Sequence, residues 1–93
     1  MYARLVRFAI QPGKQAAAQA VADDIAPLIK QQPGCQSVAV FADDEGECGI
    51  FVLWDSEENA NKAAQIVRPQ LEQRLAGNVK SAPDGRLFKV ISG

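Results

Sequence analysis

Ninety-three residues with a mass of 10.0 kDa make one small domain, because chains divide into several cores only well above this length. Hydrophobic residues at 47% with 23% charged exclude a disordered or fibrous chain. Surface scaling gives an unfolded chain of about 14,500 Å² and a folded monomer of about 5,200 Å². Ten basic against eleven acidic side chains leave a net charge of −1, without the positive excess that nucleic acid or anionic lipid attracts, so neither is expected as a partner.

Tyr2 to Ile10 reads YARLVRFAI, in which Val6, Phe8 and Ile10 alternate with Leu5, Arg7 and Ala9 at the two-residue period of a strand. Pro12 and Gly13 break it. Lys14 to Gln32 then carries Ala17, Val21, Ile25, Leu28 and Ile29 at helical spacing with Asp23 and Asp24 outward, an amphipathic helix. Pro27 lies inside it and deprives the Asp23 carbonyl of its donor, which predicts a kink or an early end. Gln32-Pro33-Gly34 stops this helix. Two strands follow, Ser37 to Phe41 and Cys48 to Trp54, around the turn Asp43-Asp44-Glu45-Gly46, where Gly46 would supply a positive φ. With Ala42 facing Glu47, Phe41 faces Cys48 and Cys35 faces Trp54, so the thiols lie roughly 20 Å apart and no disulfide forms. Cys48 to Trp54 is apolar on both faces, as a central strand covered on both sides would be.

Asp55 or Ser56 caps the next helix, with Glu58 three residues after Asp55 as in a capping box and with Ala60, Ala63, Ala64 and Val67 as its inner stripe. Pro69 suits the start of a second short helix with Leu71 and Leu75 inward, closed by Gly77. Asn78 to Gly85 reads as a loop and Arg86 to Ile91 as the last strand. The order βαββαβ is the split βαβ arrangement, an α+β ferredoxin-like domain with one antiparallel sheet. Right-handed crossovers put both helices on one face and leave the other bare. Phe51 and Leu53 fall on that bare face if Trp54 points to the helices, with Leu5 and Ala9 beside them, and such a patch predicts a homodimer through the sheet.

The chain contains no histidine, which removes the commonest metal ligand, the commonest general base near neutral pH and the usual haem ligand. Cys35 and Cys48 have no CxxC spacing, so neither zinc nor an iron–sulfur cluster is expected. Residues 1–10 lack the regions of a signal peptide and no apolar run reaches a membrane span. A reducing cytoplasm with both thiols free fits this pattern. The charge is unevenly placed: residues 42–60 carry seven acids and no base, residues 61–93 six bases and two acids. A solvated loop and an acidic helix start explain the first stretch, and docking on basic neighbours in a self-associating protein would use the same pattern.

Gln32-Pro33-Gly34-Cys35 opening the second strand, an acidic turn, and then Phe51-Val52-Leu53-Trp54-Asp55-Ser56-Glu57-Glu58 resemble the antibiotic biosynthesis monooxygenase family of dimeric α+β barrels. The resemblance covers nearly the whole chain, from the first strand through Pro12-Gly13 to the last. It implies a cofactor-free oxygenase of phenolic or quinol-type aromatics, a haem-degrading enzyme, or one of the family's many small proteins with no established activity. In the haem-degrading branch the working residues are an Asn on the first strand, the Trp ending the third and a His ten residues later. Here the Trp is Trp54, the His position falls on Ala64 and the first strand has no Asn, so haem ligation by this route is rejected and no cofactor is expected.

A cofactor-free oxygenase must ionise an electron-rich phenol or quinol, stabilise the anion and let dioxygen take electrons from it in a dry pocket. By this resemblance Trp54 forms a pocket wall beside the helix around Ala60 to Val67, Ala64 included, with first-strand side chains such as Phe8. Arg7 is the preferred cation to stabilise the anion, with Arg4 and Arg86 next, since a buried cation lowers a phenol's pKa. Tyr2 would relay a proton and Asn61 orient an oxygen atom. Plainer readings stand beside these: Trp54 as a core aromatic, Arg7 pairing with an acid across a dimer interface, Tyr2 and Asn61 on the surface, and Cys35 as a small packed hydrophobe. On those readings the chain is a non-catalytic dimer that binds a small aromatic molecule or serves a stress-related role.

Overall fold

A computed structural model describes all residues, 1–93. Four strands, β1 (Tyr2–Ala9), β2 (Cys35–Ala42), β3 (Glu47–Trp54) and β4 (Asp84–Lys89), form one antiparallel sheet in the order β2-β3-β1-β4. With the helices this is the ferredoxin-like βαββαβ fold expected from the residue patterns. Strand β3 is central, as its two apolar faces require.

The first helical region runs unbroken but not uniformly: α1 (Gln15–Ala20), a π-helical turn (Val21–Ile25) and α2 (Ala26–Lys30). The Ala26 N–H donates to the Val21 carbonyl, an i→i+5 bond one residue before Pro27. The missing proline N–H is thus met by a widened turn. Val21, Ile25 and Ile29 stay on the buried side through it.

The third helix, α3 (Glu57–Leu75), contains Pro69 in its interior, so no second short helix begins there. Ala60, Ala63, Val67, Leu71 and Leu75 form one continuous buried stripe across the proline, while Pro69 itself and Gln65, whose carbonyl loses its donor, are exposed. Packing along the stripe outweighs the one backbone bond lost on the wet side. Ser56 is the cap, accepting from the Asn59 N–H at 3.2 Å. Asp55 instead accepts from the Asn59 side chain at 2.9 Å, so the Asp55–Glu58 capping box does not form. Gly77, at φ 77°, follows the helix end.

The β2–β3 hairpin carries a one-residue correction. Phe41 pairs with Gly49 and Ala42 with Cys48, and an irregularity between Cys35 and Ser37 restores the Cys35–Trp54 pairing. The tip is tied by Asp43, whose Oδ1 accepts from the N–H groups of Glu45 and Glu47, both at 2.9 Å, and by Gly46 at φ 89°. Both cysteines are free. Strand β4 begins and ends two residues earlier than expected, because β1 pairs it only from Arg7↔Asp84 to Tyr2↔Lys89. Beyond it, the Val90 N–H reaches the Met1 carbonyl at 2.9 Å and Ile91 stands free in solvent.

The core lies between the helices and one sheet face, where Phe8, Cys48, Ile50, Val52 and Trp54 are all at most 3% exposed. The opposite face carries Leu5, Ala39, Phe41, Phe51, Leu53 and Phe88 by strand parity, and Phe41, Phe51 and Phe88 are 48%, 38% and 44% exposed. The chain's 5715 Å² of accessible surface exceeds by about 500 Å² what its mass predicts.

Candidate functional site

Trp54 sits where three constraints meet. It ends β3 on the helix-facing parity, it pairs with Cys35 and Tyr2 on its two sides, and the chain turns sharply after it. The turn is fixed by Gly34 at φ 85°, whose carbonyl accepts the Asp55 N–H at 2.9 Å. A Cβ on Gly34 would collide with the Asp55 carboxylate and the Asn59 amide, so only glycine lets the second strand pass this close to the start of α3.

Between Trp54, α3 and the strands lies a cavity of about 70 Å³, open on one side. Its apolar wall is made by Val6, Ile50, Val52, Ala60, Ala63 and Ala64 with Trp54 at the end. The room exists because α3 presents alanines there and because β4 contributes Gly85, which stands against Val6. Three charged residues line the opening: Arg4 from β1, and Arg68 and Glu72 one turn apart on α3. Arg4 is half-buried. Its Nη2 donates to Asn61 Oδ1 at 3.0 Å and to the Ala60 carbonyl at 3.4 Å. Burial, and then the nearby Arg68, hold the Arg4 guanidinium below the ordinary arginine range. The Trp54 indole N–H is buried without an acceptor, a condition that costs about 1–3 kcal/mol. No three cysteine or acidic side chains converge to hold a metal ion.

Of the residues expected to form a site, Trp54 and Ala64 line this cavity and Asn61 supports it by holding Arg4. Arg7 does not. Strand alternation places it on the opposite, helix-free face, 62% exposed and paired with Glu47 of its own chain at 2.8 Å. Arg86 shares that face, its guanidinium 5.5 Å from the centre of the Phe88 ring. Phe8 faces the helices but is core, six residues along β1 from the Trp54 end, or roughly 20 Å. Tyr2 packs against the core beside Trp54 without lining the cavity.

Arg4 ranked only second in the sequence, and Arg68, Glu72 and Gly85 had no role there. For Arg4 the signal was present: if Leu5 shares the bare face with Phe51, parity sends Arg4, not Arg7, to the helices. Arg68 and Glu72 lay in what read as a break around Pro69, so their common face with Val67 and Leu71 was hidden.

The sequence pattern of the antibiotic biosynthesis monooxygenase family matches residues 1–65. The chain belongs to that family. Among solved structures, the fold is similar to a protein of unknown function from Nitrosomonas europaea, NE2512 (TM-score 0.86, 18% identity, covering 99% of this chain and 90% of that one). It is also similar to SnoaB, a cofactor-independent oxygenase from Streptomyces nogalater (TM-score 0.76, 14% identity, 99% and 94% covered), and to the ActVA-Orf6 monooxygenase of Streptomyces coelicolor in complex with nanaomycin D (TM-score 0.77, 18% identity, 99% and 88% covered). At these identities the antibiotic biosynthesis monooxygenase fold is shared. No curated protein sequence matches this chain. No helix is long and apolar enough to cross a membrane.

Proposed function

We propose that this chain is a cofactor-independent monooxygenase of a small phenolic or hydroquinone-type aromatic, working as a homodimer joined through the bare sheet faces. The observation that carries the reading is Arg4: a guanidinium half-buried in an apolar cavity walled by Trp54 and steadied by Asn61 and the Ala60 carbonyl. A cation in such a place favours the ionised form of a bound phenol. Glu72 is the lining carboxylate that can take the proton. The anion then gives its electrons to dioxygen. For a hydroquinone the products are a hydroxyquinone and water: one oxygen atom enters the ring, the other leaves with two hydrogens, and the substrate supplies both electrons. Apolar walls keep water from competing. The fold likeness to SnoaB, a cofactor-independent oxygenase, and to the ActVA-Orf6 monooxygenase supports this chemistry. The dimer rests on the exposed Phe41, Phe51 and Phe88, since isolated subunits rarely keep so many aromatic side chains in water on one face.

Oxygen uptake with a panel of one-ring hydroquinones in metal-free buffer is the test. Uptake above background, with the hydroxylated product incorporating one atom of labelled dioxygen, is expected. Ala64→Leu should abolish it by filling the cavity while α3 remains folded. Binding of the ring without any oxygen consumption would leave the second reading, a non-catalytic aromatic-binding dimer, which the lack of histidine favours.

A further inference from the structure

Two guanidiniums open onto one small apolar cavity, and neither forms an ion pair within the chain. The fold's ion pairs are Arg7–Glu47, Lys62–Glu58 and Arg74–Asp24. Glu72 lines the same opening, one turn from Arg68, yet pairs with neither arginine, so the opening keeps an excess of one positive charge. Asn61 and the Ala60 carbonyl both engage Nη2 of Arg4, and its other N–H groups make no bond within the chain. Such a guanidinium is held in orientation with donors to spare, which suits a planar two-oxygen acceptor. Like charges brought together at an apolar wall repel each other, and an anion between them removes that cost.

We infer that the pocket selects aromatic carboxylates of one ring, with Arg4 and Arg68 gripping the carboxylate at the opening while the ring enters towards Trp54. The size of the cavity agrees. A dry cavity of about 150 Å³ holds benzene, and one of about 70 Å³ admits the leading part of a single ring and leaves the carboxylate at the opening, beside the exposed Arg68. Arg4, the deeper of the two, is the cation that touches both the carboxylate and an adjacent phenolic oxygen. Arg68 acts on binding alone. This inference names the substrate class of the oxygenase reading and rests on it for the reaction, though not for the binding.

The experiment compares 2,5-dihydroxybenzoate with its methyl ester, a neutral compound of nearly the same shape, by titration calorimetry and in the oxygen electrode. The acid is expected to bind at least tenfold more tightly than the ester, and the advantage should shrink as salt is raised. In Arg68→Gln, an exposed position that the fold tolerates, the acid-to-ester ratio should fall towards one, while Arg68→Lys restores part of it. Arg4→Gln should lower acid binding further. An ester that binds as well as the acid, or a ratio unchanged in Arg68→Gln, overturns the inference. The two proposals separate cleanly. Preferential binding of the acid without oxygen uptake sinks the oxygenase reading alone, and turnover of the ester with the acid excluded sinks the carboxylate reading alone.

Discussion

Strand β3 carries large apolar side chains on both faces, and they meet opposite fates. Cys48, Ile50, Val52 and Trp54 are buried to within 3% of complete cover, while Phe51 between them keeps 38% of its surface in water. The residue types do not explain this, since phenylalanine is at least as apolar as cysteine. Cover does: two helical regions crossing in the same hand shield one face only. Charge follows the same division. Arg4 on the covered face is desolvated and held by fixed acceptors, whereas Arg7, three residues along the same strand, lies in solvent against Glu47. A side chain's chemistry here is set less by its type than by the side of the sheet that alternation assigns it.

The bare face is most sensitive at Phe51. Phe51→Asp places an unpaired charge on the bare face of each subunit and should weaken dimerisation by about 4 kcal/mol, or roughly a thousandfold, with little change in the circular dichroism of the subunit. Sedimentation across a concentration series reads this directly. If the wild-type chain already sediments as a single subunit at every concentration, the bare face is not an interface. Next comes Ile50→Ala, one residue away on the covered face, expected to cost about 3 kcal/mol of unfolding free energy in the denaturant curve of the Phe51→Asp background, where association no longer contributes. A loss under 1 kcal/mol there would mean that the covered face is not packed as described.

What the residue pattern dictates and what only tertiary packing decides divide along the same line. The order of elements, the central place of β3 and the two unequal faces follow from alternation and from punctuation at Pro12-Gly13, Pro33-Gly34 and Gly46. The continuity of α3 through Pro69 did not, because a proline's local cost is visible in sequence while the stripe of Leu71 and Leu75 that offsets it needs a sheet to pack against. The hairpin pairs one residue away from the expected register, because the ladder carries an irregularity between Cys35 and Ser37 that the residue pattern does not announce. At the cavity, Trp54 and Ala64 lie in the wall, while alternation sends Arg7 to the other face. Arg68 and Glu72 were lost with the helix that carries them.

Smaller effects sharpen the contrast. Gly49 is the one residue of β3 on the bare face that is buried, because the Phe41 ring lies over it and a Cβ there would collide with the end of that ring. Gly49→Ala should cost the isolated subunit under about 1 kcal/mol, since the exposed ring can swing away, yet lower dimer affinity measurably by displacing Phe41. Equal losses in both assays would show that the ring is not part of the contact. Arg7→Ala should change subunit stability by no more than about 0.5 kcal/mol, as an exposed ion pair screened by solvent does, checked by thermal melts at low and high salt. Finally, burial raises both thiols above their ordinary range, with Asp43 and Glu47 adding to the rise at Cys48 and Lys30 opposing it at Cys35. A thiol that holds its proton more tightly when folded supports the native state below the ordinary thiol pKa and loses that support as pH climbs past it. Melting temperature should therefore be level through neutral pH and decline above about pH 9, with slow alkylation of Cys48 at pH 7. Fast labelling of Cys48 at that pH would contradict its burial.

The chain owns a single indole, and it stands at the boundary between packed interior and open cavity with its N–H unclaimed. Nature has thereby installed an optical probe at the one spot where occupancy, hydration and loosening of the fold all register. Emission colour and quenching in the unlabelled protein would follow changes at the cavity wall without any added label.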